Sequence, residues 1–208
     1  MKSKTKIAVT SRAFSKNATL RSELAERYEN IAFNDTGKTL NRSELVNFLK
    51  GSEKAIVSLE PIDDGILEQL PELRVISKYG VGLDNIRLED LQKRGISLAW
   101  KGGVNRRSVS ELTLSFMITC LRDVFRSNNQ MRMGQWNQYP GTQLSGKTVG
   151  IIGCGHIGKD LVKLLQPFEC KILVYDSKSY SEFYLQYQIE EVSLEDSHLL
   201  QLRSSIYV

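Results

Sequence analysis

Short apolar runs alternate with amphipathic stretches along the first hundred residues of the chain. The apolar runs predict five β-strands, at residues 6–10, 30–33, 55–59, 74–78 and 96–100. Apolar residues between them recur at helical spacing, and Asn41 followed by Glu44 has the spacing of a capping box at a helix start. Because strands and helices alternate, the pattern predicts a parallel sheet covered by helices.

The pattern changes after Gly102 and Gly103. One long helix is predicted from about residue 107 to 133, and we interpret it as a connector between two domains. An irregular arm follows at residues 134–145, whose Trp136 and Tyr139 are available either to a partner subunit or, by default, to their own domain. The predicted domains are therefore residues 1–104 and 105–208. The long helix carries one continuing apolar face, made of Leu112, Phe116, Cys120, Val124 and Met131.

A glycine-rich turn after residue 152 carries the most specific motif in the chain. An apolar run at residues 149–152 predicts a buried strand, and Gly153, Gly155 and Gly158 then occupy the three positions of G-x-G-x-x-G. Gly153 permits a tight turn, Gly155 lets a pyrophosphate approach the backbone, and Gly158 lets the next helix pack closely. The N–H groups at the start of that helix would hold the phosphates.

A second apolar strand ends at Tyr175 and Asp176, about 18 residues beyond Gly158, near the spacing that the dinucleotide motif requires. The Asp176 carboxylate would accept hydrogen bonds from the adenosine ribose and would repel a 2′-phosphate. The sequence therefore favours NAD over NADP as the cofactor. A structural β-α-β unit without a ligand is the alternative interpretation.

Composition excludes several classes of protein. With 41% hydrophobic and 25% charged residues among 208, the chain has the composition of a soluble globular protein. The net charge of +4 is spread without a basic stripe, so no nucleic acid partner is expected. The longest apolar segment, residues 109–121, contains Glu111, and the apolar run near the start is too short for a signal peptide, so no membrane partner is expected.

The three cysteines, Cys120, Cys154 and Cys170, have neither C-x-x-C spacing nor clustered histidines beside them. They are typical of reduced thiols, and no metal site is predicted. The expected location is the cytoplasm.

Four blocks of sequence, at residues 78–85, 105–112, 134–136 and 141–158, together resemble the NAD-dependent D-2-hydroxyacid dehydrogenase family. Within that family the chain is most similar to the D-3-phosphoglycerate dehydrogenase group. The resemblance covers residues 7–176. It implies an α/β chain with a flavodoxin-like N-terminal substrate domain, followed by an incomplete Rossmann domain, a doubly wound parallel sheet that binds NAD.

The resemblance also implies a reaction and its site. The reaction is hydride transfer between NAD and a small-molecule 2-hydroxy or 2-oxo acid, such as 3-phosphoglycerate. Backbone N–H groups of Val81 and Gly82 would hold the substrate carboxylate at a cleft between the domains, and Asn105 would bond the substrate at the hinge. A glycine turn, a helix cap and a buried helix face are the local alternatives. The implied cofactor-binding residues are Val81, which would border the nicotinamide, Gly153, Gly155, His156, which replaces a frequent arginine, Ile157, Gly158, Tyr175 and Asp176.

The family's catalytic arginine, glutamate and histidine follow the fourth strand of the nucleotide domain, about where this chain ends. Residues 197–208 are expected to form a helix and a last strand, with His198 and Arg203 as surface or structural residues and no catalytic residue in the chain. The expectation is a truncated relative, inactive alone, which binds NAD and pairs as a homodimer or with a full-length homologue. A remnant that binds nothing is a further alternative. With its first or fourth strand at an open edge, the chain alone is expected to be marginally stable or to rely on dimer contacts.

Overall fold

Two parallel sheets organise the chain, one in each of its two units, Met1–Gly102 and Gly103–Val208. The structure is a computed structural model that describes residues 1–193 and 206–207. Within these residues, no helix is both long and apolar enough to span a lipid bilayer. The predicted α/β class is confirmed.

The first unit is a five-stranded parallel sheet in the order β2-β1-β3-β4-β5, the flavodoxin-like order. All four strand pairings are parallel, and the strands are connected by helices. The elements in chain order are β1 (Ser3–Val9), α1 (Arg12–Lys16), α2 (Ala18–Arg27), β2 (Tyr28–Phe33), α3 (Arg42–Leu49), β3 (Lys54–Val57), α4 (Asp64–Leu67), β4 (Val75–Lys78), α5 (Leu88–Lys93) and β5 (Ser97–Ala99).

Local signals explain the helix starts of this unit. The predicted capping box of α3 is confirmed, because the Asn41 side chain accepts from the Glu44 N–H while the Glu44 carboxylate accepts from the Asn41 N–H. Asp63 caps α4 in the same way through the Ile66 N–H. The helices then bury aliphatic side chains on the sheet, in a core that includes Leu45, Leu49, Ile66, Leu67, Leu73 and Ile76.

The second unit contains a four-stranded parallel sheet in the order β8-β7-β6-β9, which is the 3-2-1-4 order of a Rossmann half-domain. The first strand is paired on both sides, and β9 lies at the edge, as expected for the fourth strand. The elements are α6 (Arg106–Leu121), α7 (Val124–Arg132), β6 (Thr148–Ile152), α8 (His156–Leu165), a 3₁₀ turn (Gln166–Phe168), β7 (Lys171–Tyr175), α9 (Ser181–Gln186), β8 (Glu190–Glu191) and β9 (Ile206–Tyr207).

The prediction of a single helix at residues 107–133 is wrong. Asp123 adopts a left-handed backbone conformation, with φ of +52°, and separates α6 from α7. Apolar spacing continues across the break, so periodicity alone cannot reveal a left-handed residue, a conformation that Asp tolerates better than most. The predicted apolar face also lies at the surface, since Leu112, Phe116, Cys120 and Val124 are all exposed, as is Met131.

Other differences concern element ends. Most strands of the first unit begin or end one to two residues away from the predicted limits. The predicted last strand is confirmed as β9, which pairs with β6. The helix predicted in the tail, together with His198 and Arg203, lies outside the described residues.

Candidate functional site

The glycine turn joins the end of β6 to the start of α8. Gly153 has φ of +97°, a conformation that L side chains rarely adopt, and its N–H donates to the Tyr175 carbonyl at 2.8 Å. A Cβ at position 158 would lie 2.2 Å from the Gly153 carbonyl oxygen. The glycines at 153 and 158 are thus required by the fold of the turn itself.

Gly155 has neither constraint, because its φ is −74° and no atom beyond its chain neighbours lies within 4 Å of the position that its Cβ would take. Gly155 is the N-cap of α8, and no side chain caps that helix. The first N–H groups of an α-helix lack partners within the helix, so an open space borders free donors at the positive end of the helix dipole. This arrangement fits the pyrophosphate of a dinucleotide.

Asp176 lies beside this turn, at the end of β7. Its Oδ2 accepts the Cys154 N–H at 2.6 Å, and its Oδ1 accepts the Lys178 N–H at 2.9 Å. These bonds hold the pKa of Asp176 below its ordinary value, chiefly through the Lys178 N–H. Asp176 is therefore an ionised carboxylate tied to the glycine turn, with acceptor capacity left for ribose hydroxyls.

His156 and Ile157 form the first turn of α8, and both side chains are exposed. The His156 ring lies on the backbone of Gly103, where an added Cβ would come within 2.5 Å of the ring's Cγ. The Ile157 side chain is 37% exposed, whereas Leu161 and Val162 further along α8 are buried. The first turn of α8 therefore presents its side chains outward.

Two polar groups that support α8 were missed by sequence reasoning. Asp160 is buried on α8 and accepts from Arg107 of α6 at 3.1 Å, while Ser110 donates to the Ile157 carbonyl at 3.1 Å. The sequence signal that could have revealed this contact is Asp160 itself, an acidic residue within an otherwise apolar helix face. A carboxylate that is buried there needs a partner. These contacts fix α8 against α6.

The thiol of Cys154 is a second feature of the turn that the sequence did not reveal. Burial raises the pKa of Cys154 to about 11, so the thiol stays protonated at neutral pH. Burial likewise raises the pKa of the neighbouring Tyr184 to about 12. We interpret Cys154 as a packing residue under the turn, with no nucleophilic role.

The loop that is expected, from the family resemblance, to bind the substrate carboxylate follows β4 in the first unit. Gly80 has φ of +143°, and the Val81 carbonyl accepts a hydrogen bond from the Trp100 indole Nε1–H at 3.0 Å. The Tyr79 N–H donates to the Val57 carbonyl at 2.8 Å. Within residues 1–193 and 206–207, no hydrogen-bond acceptor contacts the N–H groups of Val81 and Gly82. Both groups are thus available to an anion.

Side chains on either side of this loop are bonded to one another. The Lys78 ammonium donates to the Asn85 side-chain oxygen and to the Ser58 carbonyl, and the Asn85 amide donates to the Glu60 carbonyl at 2.6 Å. Burial lowers the pKa of Lys78, an effect opposed by the carboxylates of Glu60 and Asp84. No local pattern predicts this network, which joins residues 7 to 25 positions apart along the chain.

Asn105 belongs to the second unit. It is the N-cap of α6, yet its side chain makes no capping bond. Its Oδ1 is buried and lacks a hydrogen-bond partner among the described residues. An unsatisfied buried acceptor is costly, which is compatible with a role toward a ligand.

Comparison with known proteins relates the chain to one group of enzymes. Residues 114–201 match the family model of the D-isomer specific 2-hydroxyacid dehydrogenase, NAD binding domain. A glyoxylate reductase of Thermofilum pendens is 35% identical over 143 residues, which are 65% of this chain and 42% of that protein. A D-3-phosphoglycerate dehydrogenase of Methanocaldococcus jannaschii is 32% identical over 140 residues, 66% of this chain and 27% of that protein.

A solved structure supports the fold. The structure described as a D-isomer specific 2-hydroxyacid dehydrogenase, NAD-binding, from Polaromonas matches with a TM-score of 0.84 at 21% identity, covering 99% of this chain and 64% of that one. At this identity the likeness shows the fold alone. The chain spans about half the length, or less, of the curated relatives cited above.

Proposed function

Because the chain belongs to the D-2-hydroxyacid dehydrogenase family, we propose that it is the NAD-binding and substrate-carboxylate-binding part of an NAD-dependent oxidoreductase. In this proposal residues 1–104 bind the substrate and residues 105–208 bind NAD. The observation that carries it is the open space above Gly155, where free helix N–H groups lie next to the ionised Asp176. The substrate class is a small 2-hydroxy or 2-oxo acid.

The cofactor would be held almost entirely by the backbone. Gly153, Gly155 and Gly158 shape the turn, and the N–H groups at His156 and Ile157 bond the pyrophosphate. The exposed His156 ring adds a donor where a frequent arginine stands in the family. Tyr175 would line the adenosine pocket beside Asp176, whose carboxylate accepts the ribose hydroxyls.

The substrate carboxylate would be bound by the N–H groups of Val81 and Gly82, because fixed backbone donors neutralise an anion without a mobile side chain. Val81 would also border the nicotinamide. Asn105 would direct its unpaired Oδ1 toward a donor on the substrate, such as a hydroxyl. Bound NAD supplies the hydride acceptor, and the chain's own residues bind and orient the acid.

For these 208 residues taken alone, we expect binding of NAD without turnover. The family's catalytic arginine, glutamate and histidine have no counterparts among the matched motifs of this chain. Turnover is proposed only for a protein that also contains these three catalytic groups. A cytoplasmic location is part of the proposal and rests on three cysteines that are all free thiols.

A paired titration and assay test this function. NADH fluorescence is titrated with the 208-residue chain, and the same preparation is assayed with 3-phosphoglycerate, glyoxylate and hydroxypyruvate. Saturable NADH binding without turnover is the expected result. Turnover at an ordinary dehydrogenase rate would overturn the expectation that the chain alone is inactive. Absence of NADH binding would overturn the proposed cofactor site.

We further propose that α6, α7 and the arm at residues 134–145 form a dimer interface, with a second copy of this chain or a full-length homologue as the partner. These segments expose an unusual number of large apolar side chains, which cost free energy in water. The exposed residues are Leu112, Phe116, Val124, Phe125, Met131, Met133 and Trp136.

Sedimentation velocity over a range of concentrations tests the interface. The unmodified chain is expected to sediment as a dimer at micromolar concentration, and Phe116→Lys as a monomer. Leu185→Lys, which alters an exposed apolar residue on α9 instead, is the matched control. A monomer at all concentrations, with a sharp reversible melt, would contradict both the interface and the expectation of marginal stability.

A further inference from the structure

The peptide between Val81 and Gly82 is held by a tryptophan from another strand end. The Trp100 indole Nε1–H donates to the Val81 carbonyl at 3.0 Å. Trp100 directly follows β5, which pairs with β4, so the neighbouring strands bring this side chain to the loop after β4. Its side chain is 45% exposed, so Trp100 is not a residue of the hydrophobic core.

Peptide geometry gives this hydrogen bond a directional consequence. A trans peptide is planar, so its C=O and its N–H point in opposite directions, and no cis peptide is present in the described chain. When Trp100 fixes the Val81 carbonyl, the Gly82 N–H must point away from the indole. That N–H is the donor that the proposed function assigns to the substrate carboxylate, so the inference rests on that function.

Hydrogen bonds hold the two ends of the loop, whereas the backbone in its middle can rotate. The Tyr79 N–H is bonded to Val57, and the Lys78 side chain is bonded to Asn85 across the loop. Between them, a glycine on either side of Val81 leaves the Val81–Gly82 peptide free to rotate. The bond from Trp100 is the contact that opposes this rotation from outside the loop.

We propose that Trp100 is a positioning residue, which orients the Val81–Gly82 peptide so that the Gly82 N–H is directed at the carboxylate of the acid substrate. Trp100 does not touch the substrate in this account. Its contribution is the preorganisation of a backbone donor, which otherwise turns between two directions.

Binding of oxamate, an analogue of a 2-oxo acid, tests the proposal in the full chain with saturating NADH. Trp100→Phe keeps an aromatic ring and removes the N–H donor. Its oxamate affinity should fall about fivefold, the effect of losing one exposed hydrogen bond, while its NADH affinity stays unchanged. The matched control is Tyr28→Phe, which removes one hydrogen-bonding group from an aromatic side chain at the opposite edge strand of the same sheet and should leave oxamate affinity unchanged.

A spectroscopic readout on the unmodified chain covers the case in which Trp100→Phe fails to fold. The indole N–H signal of Trp100 is assigned as the one that remains in Trp136→Phe, and it should exchange with solvent more slowly than the indole N–H of free N-acetyltryptophanamide. Oxamate should shift the Trp100 signal, because an acceptor on the Gly82 N–H polarises the shared peptide and strengthens the bond at its other end.

The outcomes separate the inference from the function on which it rests. Equal oxamate affinity in Trp100→Phe and the unmodified chain would overturn the role of Trp100 alone, as would a Trp100 indole signal that oxamate leaves in place. If the unmodified chain binds NADH but no oxamate, the proposed role of Gly82 fails and the inference fails with it.

Discussion

The two candidate binding loops of this chain are built in opposite ways. The turn at residues 153–158 depends on side chains that are absent, since a Cβ at 158 would collide with the Gly153 carbonyl and a Cβ at 155 would enter the open space. The loop at residues 79–84 depends on side chains supplied from elsewhere, including Trp100 and Lys78. One loop is shaped by its own sequence, and the other by its neighbours.

This difference decides how each loop responds to substitution. Changes within the glycine turn act by steric collision, which can cost several kcal/mol when backbone atoms are involved. Changes around the first-unit loop remove single hydrogen bonds, each worth about 1 kcal/mol. The comparison therefore predicts large effects in the second unit and graded effects in the first.

Gly158→Ala should have the largest effect. Its Cβ would lie 2.2 Å from the Gly153 carbonyl oxygen, and a backbone atom cannot yield without opening the turn. We expect a loss of about 3 kcal/mol in the free energy of unfolding, measured by chemical denaturation. Gly155→Ala is the control, because its Cβ meets no atom, and it should stay within about 0.5 kcal/mol of the unmodified chain. Equal stability of the two variants would contradict the packing role of Gly158.

Gly155→Val separates binding from folding within the same turn. Gly155 has a negative φ and open space around it, so the valine is accommodated in the unliganded chain. NADH affinity should fall about 10- to 100-fold, because the side chain occupies the pyrophosphate position. Thermal denaturation should show a melting temperature near that of the unmodified chain. Full NADH affinity in Gly155→Val would show that the pyrophosphate does not bind at this position.

Asp176→Ala tests the cofactor preference. Loss of the carboxylate removes the ribose acceptor and the charge that repels a 2′-phosphate, so NADH affinity should fall about tenfold and the preference over NADPH should narrow. Fluorescence titrations with both cofactors provide the measurement. Because the carboxylate also accepts the Cys154 N–H, Asp176→Asn serves as a control that keeps an acceptor without the charge. An unchanged ratio of the two affinities would show that Asp176 does not read the ribose.

The smallest expected effect concerns the first unit at low pH. The paired Arg42 guanidinium lowers the pKa of Asp63 to about 2, below its usual unfolded value of about 3.9. The pair therefore stabilises the fold above about pH 4, and this contribution is lost as the pH falls toward 2. Asp63→Asn retains a capping side chain and should cost about 1 kcal/mol at neutral pH, since the pair is partly exposed.

Denaturant titrations at several pH values check this prediction. The difference between Asp63→Asn and the unmodified chain should shrink as the pH falls through the range from 4 to 2. Asp35→Asn, which alters a more exposed ion pair with Arg21, is the comparison variant. A difference that is independent of pH would show that Asp63 acts only as a helix cap.

The same contrast explains what could be predicted from the sequence. The parallel α/β fold, the capping box at Asn41 and the position of the glycine turn were accessible because each depends on a local pattern. The break at Asp123 was not, since apolar spacing continues through it. The hydrogen bond from Trp100 to Val81 was equally inaccessible, because it joins two loops that only the pairing of β4 with β5 brings together.

Hydrogen–deuterium exchange with and without NADH directly tests whether NAD binds at the turn between β6 and α8. Saturating NADH should slow exchange at the amides of residues 153–158 and around Asp176. Saturable NADH binding without protection in these segments, or with protection confined to the first unit, would show that NAD does not bind at this turn.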